Sequence, residues 1–569
     1  MLRYRPLHAR DAAHDCVARN LRPRLLRHAS FMADFSQMPA RLHSSLMIAA
    51  VIGALQLAVP MPAAAAPSAL VADGVSHAAG AGGDVDARRS DGSTALQWAV
   101  YHGDVGEVQR LIRAGANVSL ANNYGATAMS LAAETGDPSI IRLLLKAGAN
   151  PDSFNPEGQT ALMAVARTGN VEAAKLLVKA GAHVNAREQW GNQSALMWAA
   201  AQRQPQMVQF LVHHGAEVNA RGAVRDWARK VTSEPREKDM DRGGFTPLLY
   251  AAREGCAACA KELVARGADI DLADPRGTTP LVLAIMNMQF DTAKFLIEAG
   301  ANIQIWDFYG QTPLYAAVDL NALPQGARID VPSTDSTTSA DLIRILLARG
   351  ANVNAQLKLP QPSRTPAVAG GRVDKRVHNI GATPLLRAAV GADLGTMQLL
   401  IDRGALVDLP LADGTTPMLA ALLPSSTRAP TKNEQQALAA IRLLKAAGAD
   451  PKAAVVRSST VLHLMHTHGL NEARVRGSTA LMMATVQGWT DVMKQLVAWG
   501  VDANATDADG LTALDYAMGR ARIGFLQQRP EPRQDMAALL RELGVTKESP
   551  ATPPWKPLSV PKISAIVPD

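Results

Sequence analysis

Apolar residues recur along the chain in short runs that have the three- and four-residue spacing of a helix face. The run Ile140, Ile141, Leu143, Leu144 and Leu145 is one example. Such spacing places apolar side chains on one side of a helix. Many of the runs lie between a threonine and a glycine, which are helix start and stop signals. The pattern therefore predicts a succession of short helices.

Two short phrases mark these helices at a fixed distance from each other. The first is Gly-x-Thr-Ala/Pro-Leu, and its hydroxyl residue falls at Thr94, Thr127, Thr160, Ser194, Thr246, Thr279, Thr312, Thr383, Thr416, Thr479 and Thr512. The second is Gly-Ala-Asn/Asp or a close variant, with its glycine at positions 115, 148, 181, 215, 267, 300, 350, 404, 448, 500 and 544. Eight of the eleven glycines lie 21 residues after their hydroxyl residue. The chain therefore repeats one unit about eleven times.

Each unit predicts two helices, A and B. Threonine caps free backbone N–H groups at the start of helix A, and a proline at the first helical position loses no hydrogen bond. A glycine such as Gly136 or Gly255 marks the turn to helix B. The glycine of the second phrase ends helix B, because a left-handed residue there costs glycine little. Neither helix can bury its apolar face alone, so neighbouring units must stack.

These phrases resemble the ankyrin-repeat family, and Thr246-Pro247-Leu248 and Gly267-Ala268-Asp269 stand as that family writes them. The resemblance extends from Gly82 to Gly544. It implies an all-α ankyrin-repeat solenoid of about 11 repeats, with helix-turn-helix units joined by β-hairpin loops, and a function in binding other proteins. The family's histidine after Thr-Pro-Leu is absent from all eleven repeats, which predicts that a polar link between repeats is missing.

Six insertions interrupt the repeat. Three enter the hairpins between repeats and three lie between helices A and B, and together they occupy residues near 220–243, 320–339, 356–382, 424–435, 452–478 and 520–533. The three hairpin insertions carry a net charge of +9. Insertions in solenoids often mark the binding face. They are interpreted either as basic fingers that contact a partner or as ordinary solvated loops.

The two ends of the chain differ from the repeats. Residues 38–66 have the positive start, short apolar stretch and small-residue exit of a signal peptide, with cleavage expected after Ala66. We therefore expect a bacterial protein that is periplasmic or secreted; an organelle transit peptide stays open, and residues 1–37 are an extension that translation from Met38 would omit. Residues 67–90 are a linker and N-terminal cap, the solenoid covers 91–549, and residues 550–569 form a Pro-rich tail expected to be disordered.

Charge and motifs exclude several functional classes. The net charge is +7, but the first 66 residues account for +5 of it, so the remainder lacks the basic surface that nucleic acid demands. The chain contains no Gly-x-Ser-x-Gly elbow, phosphate-binding glycine loop or His-Glu-x-x-His helix. We therefore expect no enzyme, no cofactor and no nucleic-acid binding, and a mature chain that is monomeric and does not span a membrane.

Cysteine and histidine pairs leave two chemical alternatives open. Cys256 and Cys259 form a C-x-x-C pair at the predicted start of a helix B. In an oxidising compartment this spacing predicts a small structural disulfide, and buried thiols or a periplasmic redox site are the alternatives. His463, His466 and His468 cluster in one insertion, but their spacing does not favour a metal site on a single helix.

Large aromatic residues at the hairpin tips are the candidate binding site. They are Tyr124, Trp190, Phe245, Phe308 and Tyr309, with Trp306 just before the last two. Aromatic rings bury much area at little entropic cost and are enriched at interfaces. We expect these residues to bind a protein partner together with the concave faces of helices A, while local hairpin packing is the alternative. A secreted effector that acts on host proteins would use the same surface.

Overall fold

A computed structural model of the chain describes residues 84–155, 157–226, 241–322, 334–359, 380–423, 432–456, 477–520 and 531–547. The chain divides into two compact units, residues 1–80 and 81–569. The first unit lies wholly outside the described residues, and so do the signal peptide, the Pro-rich tail, the three histidines and most of each insertion.

Within the described residues, 22 helices form eleven consecutive A–B pairs. They are α1 Ala95–Tyr101, α2 Val105–Arg113, α3 Ala128–Thr135, α4 Pro138–Lys146, α5 Ala161–Thr168, α6 Val171–Lys179, α7 Ala195–Ala201, α8 Pro205–His213, α9 Pro247–Glu254, α10 Ala257–Ala265, α11 Pro280–Met286, α12 Phe290–Glu298, α13 Pro313–Asn321, α14 Ser339–Ala348, α15 Pro384–Gly391, α16 Leu394–Asp402, α17 Pro417–Ala421, α18 Glu434–Ala446, α19 Ala480–Gln487, α20 Thr490–Ala498, α21 Ala513–Ala517 and α22 Gln534–Glu542. The prediction of an all-α solenoid of about 11 repeats is confirmed.

Hydroxyl residues start every helix A, at the eleven positions that the first phrase marks. In α9, for example, the Thr246 hydroxyl accepts a hydrogen bond from the backbone N–H of Leu249 at 3.2 Å. Gly255 ends that helix with φ +74°, a left-handed conformation that costs glycine little. Local chemistry thus sets where each helix A begins and ends.

The larger of two apolar clusters among the described residues runs through the stack from Leu96 to Val545. Helices A are buried on most sides, as in α5, where six consecutive residues from Ala161 to Ala166 are buried. Helices B bury one stripe only, and in α2 this stripe is Val108 and Leu111. Helix A therefore lies between the helix B layer and the hairpins, so its remaining surface borders the groove between helices and hairpins.

One two-stranded antiparallel ribbon occurs in the described part of the chain, at the base of the first hairpin insertion. Strand β1 (Val224–Asp226) pairs with β2 (Asp241–Gly243), and Val224 lies opposite Gly243. Single bridges mark three other hairpins, for example between Ala121 and Thr127. The hairpins are thus short and carry few strand residues.

A ladder of polar side chains joins successive repeats, which corrects the prediction that such a link is missing. We call the side chain that makes each link a rung, and the rung residue is the fourth residue after the glycine of the Gly-Ala-Asn/Asp phrase. The rung accepts a hydrogen bond from a backbone N–H of the next repeat. The donor is the second residue after the corresponding glycine of that repeat. The pairs are Asp86 with Asn117, Asp152 with His183, Asn185 with Glu217, Asn219 with Asp269, Asp271 with Asn302, Gln304 with Asn352, Asn354 with Leu406, Asp408 with Asp450 and Asn504 with Thr546, at 2.8–3.2 Å.

Where the rung residue is Asn or Gln, the link consists of two hydrogen bonds, because the same side-chain amide also donates to the carbonyl of the glycine in the next repeat. Asn354 accepts from Leu406 N–H and donates to the Gly404 carbonyl at 3.1 Å. Gln97 adds a separate link where Ser119 replaces a rung residue, since its Nε2 donates to the carbonyls of Leu120 and Ala126 at 2.9 and 2.8 Å. The family's missing histidine is therefore compensated at other positions.

Candidate protein-interaction surface

Four of the six predicted hairpin aromatics are exposed. Trp190 is 66% exposed, and Tyr124, Trp306 and Phe308 are each about half exposed or more. The hairpin turns hold them outward: Asn122 Oδ1 accepts the N–H of Tyr124 at 3.0 Å, and Glu188 Oε2 accepts the N–H of Trp190 at 2.6 Å. These four side chains are therefore largely exposed at the hairpin turns.

Tyr309 and Phe245 differ from the prediction. Tyr309 is only 3% exposed, and its backbone carbonyl accepts the N–H of Lys358 from the next hairpin at 2.7 Å. Phe245 is half-buried, with its ring 5.4 Å from that of Tyr250. The prediction is wrong for Tyr309, because the neighbouring hairpin closes over it, and Phe245 follows the alternative of local hairpin packing.

Two exposed aromatic residues were not predicted. Tyr101, the last residue of α1, is 65% exposed, and Phe154 in the hairpin before α5 is 62% exposed. Neither residue lies at the hairpin-tip position of the predicted aromatic residues. Phe154 falls four residues before Gly158 of its hairpin, so a search of whole hairpins would have found it, whereas Tyr101 has the spacing of a core residue.

Helix A contributes a second group of side chains, which we call the groove face. It consists of the residues four and seven positions after each helix A cap. In the first repeat these are Trp98 and Tyr101, whose rings meet edge to face at 5.9 Å. The Arg89 guanidinium lies over the Trp98 ring at 4.4 Å, and Trp98 Nε1 donates to the Ser93 hydroxyl at 2.7 Å. This corner is a rigid aromatic surface.

The groove face of the fifth repeat is built in a similar way. Tyr250 and Arg253 occupy the two positions, and the guanidinium lies 5.1 Å from the Tyr250 ring and 5.6 Å from that of Phe245. Gln193 of the preceding hairpin donates to the Tyr250 hydroxyl. Burial raises the pKa of Tyr250, so the phenol remains neutral and able to hydrogen-bond over the physiological range.

The groove face is closed in repeats 7 to 9. Asp319 and Arg387 occupy the same positions as Tyr101 and Trp98, yet both are buried, and Arg387 Nε donates to Asp319 Oδ1 at 2.5 Å. Nearby, the buried Lys432 ammonium donates to the carbonyls of Val390 and Ala421 at 3.0 and 2.5 Å. A second apolar cluster fills this part of the stack, with members Tyr315, Leu357, Ala382, Leu386, Val390, Leu411 and Ala420.

Comparisons with known proteins settle the family. A family model described as ankyrin repeats (3 copies) matches residues 63–155, 137–222, 248–356 and 432–527, which is more than half of the chain. The chain belongs to the ankyrin-repeat family. Ankyrin repeats generally mediate protein–protein interaction, and proteins of this family are typically non-enzymatic scaffolds. The first match begins 31 residues before Thr94. Asp86 is the fourth residue after Gly82 and serves as a rung to Asn117. The repeat pattern therefore extends before α1.

A solved structure is also similar to this ankyrin-repeat chain. It is the ankyrin repeat domain of Bcl-3, described as a unique member of the IkappaB protein family. The identity is 24%, the TM-score is 0.35, and the match covers 46% of this chain and 100% of that one. The comparison with curated proteins found no match.

The fifth ankyrin repeat contains a disulfide between Cys256 and Cys259, whose Cα atoms are 5.2 Å apart. Cys256 is the N-cap of α10, and its sulfur accepts the N–H of Cys259 at 3.2 Å. Both residues are buried. Redox catalysis requires a sulfur that a partner can reach, so this arrangement favours a structural bond at the start of α10.

Among the residues that the structure describes, no group of three or more His, Cys, Asp or Glu side chains could hold a metal ion. No helix among those residues combines the length and apolar character that crossing a bilayer requires.

Proposed function

We propose that this ankyrin-repeat protein is a non-catalytic scaffold that holds a protein partner with the hairpin aromatics and the groove face of its first six repeats. One observation carries the proposal. Among the described residues, every exposed aromatic side chain lies between positions 101 and 308, and the six are Tyr101, Tyr124, Phe154, Trp190, Trp306 and Phe308. Repeats 8 to 11 expose no aromatic side chain in their described parts.

The chemistry of these rings supports binding over local packing. A large aromatic side chain held in water loses the favourable free energy of burial, about 25 cal/mol per Å² of apolar area. Burying several of them against a partner recovers that energy, and aromatic residues are frequent energetic hot spots at interfaces. A monomer gains nothing from a row of exposed rings, so a partner that covers them is the simplest physical reason for their arrangement.

Charges on the groove face are paired within the chain. Glu134 and Arg167, at the same position in repeats 2 and 3, form an ion pair, and Arg253 pairs with Glu254 at 2.6 Å. Because these charges are already neutralised, the partner is expected to present an apolar or aromatic surface with hydrogen-bonding groups. Most of each basic finger lies outside the described residues, and a role for the fingers in attracting an acidic partner remains part of the same proposal.

Variants of two tip residues test the proposed surface. We expect Trp190→Ala and Trp306→Ala each to weaken binding by at least about 10-fold, since truncation of a hot-spot tryptophan costs about 2 kcal/mol or more. The partner is identified by chemical cross-linking in extracts of the producing cells and then purified. Dissociation constants are measured by calorimetry for wild type and variants.

Leu406→Ala provides the matched control, because Leu406 is also exposed in a hairpin but belongs to the repeats without exposed aromatics. Its dissociation constant should stay within about threefold of wild type. Equal affinities for all four proteins, or a larger loss at Leu406 than at Trp190, would contradict the proposed surface.

We also propose that the protein is exported to the periplasm or secreted. The signal-peptide pattern of residues 38–66 supports export, and a buried disulfide between Cys256 and Cys259 suits an oxidising compartment. Amino-terminal sequencing of the protein from its native host should find a mature start at or close to Pro67. Retention of the whole 38–66 segment would contradict export by this route.

A further inference from the structure

The ladder of rung residues is interrupted between repeats 9 and 10. The rung position there is Lys452, four residues after Gly448. An ammonium group only donates hydrogen bonds, so Lys452 cannot accept the N–H of Asp502, which is the group that a rung would bind. The aliphatic end of Lys452 lies about 4.0 Å from the position that a Cβ on Gly500 would take. Repeat 9 is therefore joined to repeat 10 without a rung.

The ladder of rungs has one other interruption in the described chain, between repeats 1 and 2, and there a different side chain makes the link. Ser119 replaces the rung between repeats 1 and 2, but the buried Gln97 amide spans that joint with two hydrogen bonds. Between repeats 9 and 10 the corresponding residue after the helix A cap is Leu419, whose side chain has no polar atom. Leu419 therefore cannot supply, at this joint, the kind of hydrogen bond that Gln97 makes between repeats 1 and 2.

Side-chain hydrogen bonds that span this joint between described residues lie on its exposed side. Glu434 Oε1 accepts the N–H groups of Asp491 and Val492 at 2.6 and 3.2 Å, and the Arg442 guanidinium donates to Gln495 Oε1 at 2.8 Å. Solvent competes for such groups, so they contribute less than buried bonds. The joint therefore depends on its apolar contacts more than the other joints do.

Helices A of repeats 9 and 10 also pack on each other less extensively than any other two successive helices A of the described chain. Helix α17 has five residues and packs closely on α15, but it meets α19 over only a few residues. Both the polar and the apolar parts of this joint are thus weaker.

We propose that the joint between repeats 9 and 10 is an opening point, at which repeats 10 and 11 leave the stack as one unit while repeats 2 to 9 stay folded. In a linear repeat protein, stability is the sum of repeat terms and nearest-neighbour interface terms. Only one interface must break to release two terminal repeats, so the weakest joint near an end determines where the stack opens. This conformational step is independent of the partner-binding proposal.

Hydrogen exchange of the full-length chain, measured by mass spectrometry, tests the opening point. We expect amides of α19, α20, α21 and α22 to exchange together and faster than those of α3 to α16. Substitution Lys452→Asn supplies the missing rung in the form seen at Asn354 and Asn504. It should slow exchange of residues 477–547 by about 10-fold, as one added double hydrogen bond predicts, and leave repeats 2 to 8 unchanged.

Lys452→Met is the matched control, because it removes the charge and keeps the length without adding an acceptor. Its exchange in residues 477–547 should equal that of wild type. The proposal is overturned if α19 to α22 exchange no faster than α3 to α16, if Lys452→Asn leaves their exchange unchanged, or if Lys452→Met slows it as much as Lys452→Asn does.

Discussion

Substitution Arg387→Met is expected to destabilise the protein by about 3–5 kcal/mol, because it removes the guanidinium that pairs with the buried Asp319 carboxylate. Arg387 is 4% exposed, and its guanidinium bonds both the side chain and the backbone carbonyl of Asp319. The two residues link α13 to α15 across a segment that is interrupted by two insertions. Urea unfolding followed by circular dichroism measures the loss.

The double variant Asp319→Leu/Arg387→Met separates the cost of an unpaired charge from the value of the pair. Replacing both members of a buried ion pair by apolar residues is often neutral, so the double variant should recover most of the stability. Arg344→Met is the control for an exposed pair, since Arg344 and Asp341 are both well exposed, and it should cost less than about 1 kcal/mol. An Arg387→Met variant no less stable than Arg344→Met would contradict the buried ion pair.

Substitution Gly477→Ala is expected to cost about 2–5 kcal/mol, for two separate reasons. Gly477 has φ +87°, and an L-residue in this left-handed region costs about 1–2 kcal/mol. A Cβ at this position would also lie 2.9 Å from the Cα of Asp507 in the next hairpin. Backbone atoms cannot swing aside as a flexible side chain can, so the two hairpins must move apart, at a further cost of about 1–3 kcal/mol.

Gly510→Ala isolates the first of these two terms. Gly510 has nearly the same conformation, with φ +79°, but a Cβ there would meet no atom within 4 Å. Its loss in urea unfolding should therefore stay near 1–2 kcal/mol. If both variants lose the same stability, the close approach of the two hairpins at Gly477 is absent in solution.

The groove face is buried within the stack in some repeats and accessible in others. Repeats 7 to 9 use their groove positions for internal contacts, such as the buried Lys432 ammonium against two helix ends. Repeats 1 and 5 keep aromatic and arginine side chains at the equivalent positions, with rings that remain partly accessible. Repeats 1 and 5 therefore keep side chains on the groove face that support the proposed recognition of a partner, whereas repeats 7 to 9 use these positions within the stack.

Local signals in the sequence determined the fold. A threonine or serine that caps a helix acts on N–H groups three residues away, and a glycine that ends a helix acts through its own φ angle. Such effects do not depend on distant residues, so Thr246 and Gly255 were placed correctly from the sequence alone. The spacing of the two phrases then predicted the stacking of eleven repeats.

Tertiary structure alone decided which side chains are exposed and which are paired. Phe308 and Tyr309 are neighbours in the same turn, yet only the second is covered, because the backbone of a hairpin almost fifty residues later closes over it. Asp319 and Arg387 are 68 residues apart, and the rungs reach a neighbouring repeat at distances that the insertions change. Side-chain pairing across repeats depends on how the units stack in space, and the order of residues within one unit does not encode it.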